Sequence, residues 1–101
     1  MTTQYFSHKE RYAVVNILTA IMEADTIIHP QEIEYMDSVL ADFAITEDDN
    51  ERLELMDLQM CFEIIKGMSA ENLEKAKEMF VTMAVIDGYF DPREKQLLEM
   101  L

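Results

Sequence analysis

At 101 residues, half of them hydrophobic, the chain has the material for one domain, 1–101, around a single modest core, and two glycines and two prolines leave almost no linker. Twenty-one acidic residues against eight basic ones give a formal net charge of −13, a surface that repels nucleic-acid phosphates and anionic lipid headgroups and favours cations and basic protein surfaces. No apolar run approaches the roughly 18 residues of a membrane span, no basic-then-apolar leader opens the sequence, and Cys61 has no second cysteine to pair with; a cytoplasmic protein with a buried, reduced thiol is expected.

In chain order, the pattern predicts helices over 7–24, 30–43, 46–55, 58–67, 69–86 and 91–101, with no strand signal anywhere. Val14, Ile17, Leu18 and Ile21 follow the i, i+3, i+4, i+7 spacing of a buried helical face. Ile33, Met36, Val39, Leu40 and Phe43 make the apolar stripe of the second helix. "TEDDNERLE" at 46–54 reads as the charged, exposed start of the third, with Thr46 and Asp49 at the spacing of an N-cap and its N3 partner. Gly67 suits a helix stop, and Ser69 with Asn72 repeats the capping spacing before the fifth helix. Ala76, Met79, Phe80 and Met83 then reproduce the first helix's apolar spacing at an offset of 62, and Leu97, Leu98 and Leu101 mark the last, shorter helix. The nine methionines are expected chiefly as core filling.

The offset of 62 extends into a repeated phrase. "ADTIIHPQEIEYM" at 24–36 aligns with "IDGYFDPREKQLL" at 86–98, so that Asp25 matches Asp87, Pro30 matches Pro92, and Glu32 matches Glu94. Each copy reads as helix, short loop, helix, giving an all-α compact bundle of about six helices with two pseudo-symmetric helix-loop-helix units. Pro at N1 and Glu at N3 are helix-start signals; Asp91 is a good N-cap and His29 a poorer one. Gly88 permits a left-handed turn, which Thr26 at the matching place would adopt only at a cost.

Capping does not account for Asp25 and Asp87, which stand where the preceding helix ends. A carboxylate there opposes the helix dipole by about 0.3–1 kcal/mol. Loop N–H groups in an Asx-turn could compensate, or a hard divalent cation shared with Glu32 or Glu94 could do so. The spacing is not that of an EF-hand: Asp to Glu spans eight positions, against twelve in that loop, and the middle of the phrase is apolar. Two loops brought together by pseudo-symmetry would offer Asp25, Glu32, Asp87 and Glu94 as four carboxylates, a set suited to calcium or magnesium more than to zinc.

At these residues the sequence resembles the tellurite-resistance TerB-like family, whose signature is a helix ending in an Ala-Asp-Gly-like step, an apolar residue two positions on, and a Glu at the start of the next helix. The second copy matches that pattern, and the first matches it with Thr26 in place of the glycine; the resemblance covers residues 10–101. It implies a compact, two-fold pseudo-symmetric all-α domain without enzymatic chemistry, associated with stress and metal resistance and carrying an acidic cluster suited to divalent metal. In keeping with that, no Gly-rich phosphate loop, HExxH or G-x-S-x-G occurs in the chain, and Cys61 lacks a motif. Two functions are expected: a divalent-metal-binding module of a stress response, or a helical protein–protein interaction domain, partner unidentified, in which the acidic motif is structural.

Overall fold

A computed structural model describes residues 6–24 and 29–86. Its helices are α1 (His8–Ala24), α2 (Pro30–Asp42), α3 (Asn50–Glu54), α4 (Leu58–Lys66) and α5 (Ala70–Val85), and a 3-10 turn, Glu47–Asp49, leads into α3. Among the described residues there is no strand, and no helix is long and apolar enough to cross a membrane. Five of the six expected helices are present with ends within a few residues of expectation, the third divided into the 3-10 turn and α3. The sixth, over 91–101, and with it the second half of the proposed pseudo-symmetry, lies outside the described residues, as do Asp25, Asp87, Gly88, Asp91 and Glu94.

Short side chains set the helix starts. Ser7 and Glu10 form a reciprocal capping box: Ser7 Oγ accepts the Glu10 N–H at 3.3 Å and Glu10 Oε1 accepts the Ser7 N–H at 2.8 Å. Asp57 Oδ1 accepts the Met60 N–H at 2.8 Å, and Ser69 Oγ accepts the Asn72 N–H at 3.2 Å, so α4 and α5 start beside conventional N-caps. In the Thr46–Asp49 pair the roles reverse, with Asp49 Oδ2 accepting the Thr46 N–H at 2.9 Å.

The end of α2 is a Schellman motif. Ile45 N–H donates to Leu40 O at 3.0 Å, Ala44 N–H donates to Ala41 O at 3.1 Å, and Ala44 takes a left-handed φ of 56°. Gly67, at the end of α4, has an ordinary φ of −83°, and a Cβ there would meet the Glu63 carbonyl at 3.4 Å, a normal contact. Alanine and glycine therefore each stand where the other is better suited. Ala44→Gly is expected to raise stability by about 0.5–1 kcal/mol, and Gly67→Ala to gain a similar amount. Urea midpoints at unchanged slope would measure both; a loss at Ala44→Gly would show that the left-handed turn carries no strain.

The core forms around α1, which packs against α2, α3, α4 and α5. Sequence spacing assigns α1 one apolar face, yet Tyr12, Ala13, Val14 and Val15, a complete turn, are all buried, as are Ile17, Leu18 and Ile21. A helix buried all round is a central helix. Ala76, Phe80, Met83 and Ala84 of α5 and Cys61, Phe62 and Ile65 of α4 complete the cluster. Phe6 meets Phe43 edge-on with ring centroids 5.7 Å apart, closing the core beneath the Schellman turn. The radius of gyration, 12.6 Å, is that of a compact domain of this length.

Candidate functional site

Of the four carboxylates expected to ligate a metal, the described residues include only Glu32. It stands at N3 of α2, is 1% exposed, and its Oε1 accepts the His29 N–H at 3.0 Å. His29 itself is extended, at φ −87° and ψ 148°, and Pro30 follows at the first helical position. The start of α2 is therefore closed by a capping box in which Glu32 turns back onto the His29 N–H. That inward place alters the expected stripe. The buried series is Glu32, Met36, Val39 and Phe43, whereas Ile33, expected in the core, is 48% exposed. Glu32 occupies the inward direction of the first turn, and the next residue is rotated about 100° away from it. Among the described residues, no group of three or more His, Cys, Asp or Glu gathers as metal ligands do.

A different feature emerges where α3 passes into α4. Two polar side chains of α1 anchor this segment. Asn16 Nδ2 donates to Leu53 O at 3.1 Å, satisfying a carbonyl at the end of α3, and Tyr12 Oη donates to Asp49 Oδ1 at 2.7 Å. Between α3, held at Leu53, and α4, started by Asp57, Met56 packs against the core while Leu55 does not. Leu55 is 75% exposed, Met60 45% and Leu58 40%. Beside them Lys9, Met56, Met60, Glu63 and Ile64 line an open cleft of about 410 Å³. Met56 and Ile64 are partly buried and pack on the core, so they form the floor, while Met60 rises as a wall. Met60 thus departs from the expected core role of the methionines, of which Met36, Met68 and Met83 are the buried examples. A local signal existed: Leu55, Met56, Leu58 and Met60 crowd four apolar residues into six positions with Asp57 as a helix cap among them, more apolar surface than one short helix face can bury.

The charged residues that line the cleft are one of each sign, Lys9 and Glu63, although the stretch around it in sequence is acidic. Residues 46–66 hold seven Asp or Glu against Arg52 and Lys66. The Asp49 carboxyl is held below the usual carboxylate range, chiefly by the Thr46 N–H and next by the Tyr12 hydroxyl. Its ionised form therefore stabilises the fold above the unfolded-state pKa, and that contribution is lost as pH falls through the lowered folded value. Asp49→Asn is expected to be less stable than the parent at neutral pH, with the difference closing on acidification; a difference independent of pH would remove the ionised carboxylate from the account. Cys61, fully buried as expected, has its thiol pushed up by burial above all, with the Asp57 charge acting in the same direction and an Asn16 hydrogen bond opposing. Such a thiol stays protonated and is a poor nucleophile. Burial likewise raises the Tyr35 hydroxyl above its ordinary value, with the Thr82 side chain opposing and the Asp42 charge adding to the rise.

Comparison of the chain with protein-family models, with curated proteins and with solved structures finds no match.

Proposed function

We propose that this is a non-catalytic, cytoplasmic helical module that docks a partner protein through the face formed where α3 meets α4. The observation that carries this reading is the outward display of Leu55, Leu58 and Met60 beside an open cleft floored by core-packed Met56 and Ile64. Exposed apolar side chains occurring singly are ordinary; several together beside a concave, anchored surface mark an interaction site. Polar bonds from Tyr12 and Asn16 hold the segment, so a partner meets a surface already organised, which lowers the ordering cost of binding. The direct test is selection of displayed helical peptides on the folded chain, with counter-selection on the Leu55→Gln, Met60→Gln double variant. Peptides that bind the parent and lose the variant are expected; enrichment of none that depends on these two side chains removes the docking reading.

A second reading rests on the repeated phrase and its TerB-like resemblance: a divalent-metal module of a stress or metal-resistance response, with Asp25, Glu32, Asp87 and Glu94 as ligands of calcium or magnesium. The observation in its favour is the burial of Glu32, a carboxylate withdrawn from solvent at the start of the motif's second helix. Calorimetric titration should then show a saturable calcium or magnesium signal that vanishes in the Asp25→Ala, Asp87→Ala double variant. A flat titration on folded protein would sink it.

A further inference from the structure

Resting on the docking reading, we infer that the partner at this face is a second copy of the chain, in a two-fold dimer that seats Leu55 of each copy against Met56, Met60 and Ile64 of the other and pairs Lys9 of each with Glu63 of the other.

The face carries both halves of such a contact. An isologous interface must be its own complement, because a two-fold axis places residue i on residue j and residue j on residue i. Lys9 on α1 and Glu63 on α4 line the cleft together, one of each sign, and both are exposed. Among the described residues neither side chain has a hydrogen bond or an ion pair, with the other or with a third group. In a two-fold arrangement each meets the opposite charge on the second copy. A strongly basic or strongly acidic partner gains at one of these two residues what it loses at the other. Shape repeats the pattern. Leu55, 75% exposed, stands one residue before Met56 of the cleft floor, so a protruding apolar side chain and an apolar hollow adjoin on one surface. Methionine suits the hollow, since an unbranched thioether repacks around the side chain it meets.

The second exposed apolar pair, Val81 and Val85 on α5, lacks this property. The cleft beside Val81 is lined by Glu74, Glu78 and Lys77, two acids to one base, which would leave an unmatched carboxylate in each copy. Net charge opposes association, since each copy carries −13. That repulsion is long-ranged and therefore screened by salt, whereas the gain from burying apolar surface is not. Self-association is thus expected to strengthen as salt rises from roughly 0.01 M to roughly 0.15 M and the Debye length falls from about 30 Å to about 8 Å.

Sedimentation equilibrium of the full chain tests the dimer. The parent is expected to exchange reversibly between monomer and dimer with a Kd on the order of 10 μM at about 0.15 M salt, in the range of a transient interface. Leu55→Gln with Met60→Gln should weaken association roughly tenfold or more, as loss of central apolar anchors does. Lys9→Glu and Glu63→Lys should each weaken it roughly tenfold, because each sets like charges together at both ends of the two-fold contact. Mixing these two single variants is the decisive arm: crossed pairing makes them bind one another about as tightly as the parent binds itself, although neither binds itself well. Circular dichroism confirms that the variants stay folded, and Val81→Gln serves as the control that leaves association unchanged. A parent that stays monomeric to roughly 0.5 mM, while displayed peptides still bind through Leu55 and Met60, overturns the second copy and leaves the docking reading standing. A monomer that selects no such peptide removes both. Self-association indifferent to Leu55 and Met60 overturns the site, and association that the single variants weaken but their mixture fails to recover overturns the crossed pairing and the inference with it.

Discussion

Phe80→Ala is expected to destabilise the domain by about 3–5 kcal/mol, the cost of removing a fully enclosed aromatic side chain and leaving a cavity. Phe80 is completely buried on α5, which packs against both α1 and α4, so neighbouring side chains belong to several helices and cannot all relax into the space. Against a total stability of about 5–15 kcal/mol for a domain of this size, the variant should melt on the order of 15 °C or more below the parent. Val81→Ala, one residue further along and about half exposed, should stay within about 0.5 kcal/mol. A small effect at Phe80 would place α5 outside the core and undo the packing on which the α4 cleft depends.

Glu32 gives the second large effect, and it bears on function. Replacement by Ala removes the acceptor of the His29 N–H inside a buried helix start, with an expected loss of about 1–3 kcal/mol. Gln keeps an oxygen where Oε1 stands, so Glu32→Gln should lose much less, under about 1 kcal/mol. The charge is the discriminating feature. If Glu32 serves only as a cap, calcium or magnesium should change the melting temperature of parent and Glu32→Gln alike. If it is also a metal ligand, the parent should gain stability with added ion, by linkage, and the Gln variant should gain less. Equal responses would leave the repeated phrase as a helix-starting device and put the docking surface forward as the functional element.

The two candidate sites differ in how they could be read before folding. The acidic motif is visible in sequence because it repeats and because capping is local: Pro30 and Glu32 act within one turn, over three or four positions. The cleft is assembled from Lys9, Met56 and Met60, separated by up to 51 positions, and periodicity within any one helix carries no trace of it. Within 46–66 the sequence displays many acids, but only Glu63 among them lines the cleft, where Lys9 balances it.

Placement of the five described helices was legible in the sequence to within a few residues, since apolar spacing is local and Ser69, Asp57 and the Ser7–Glu10 pair act through hydrogen bonds between near neighbours in the chain. Which way each helix faces was decided by tertiary structure. Residues 12–15 are buried on every side because α1 is surrounded, Glu32 lies inside and Ile33 outside because of the direction in which α2 enters the core, and Leu55 is exposed while its neighbour Met56 packs on the core. Burial depends on what the other helices cover, and that is a property of their mutual arrangement, which no single stretch of sequence contains.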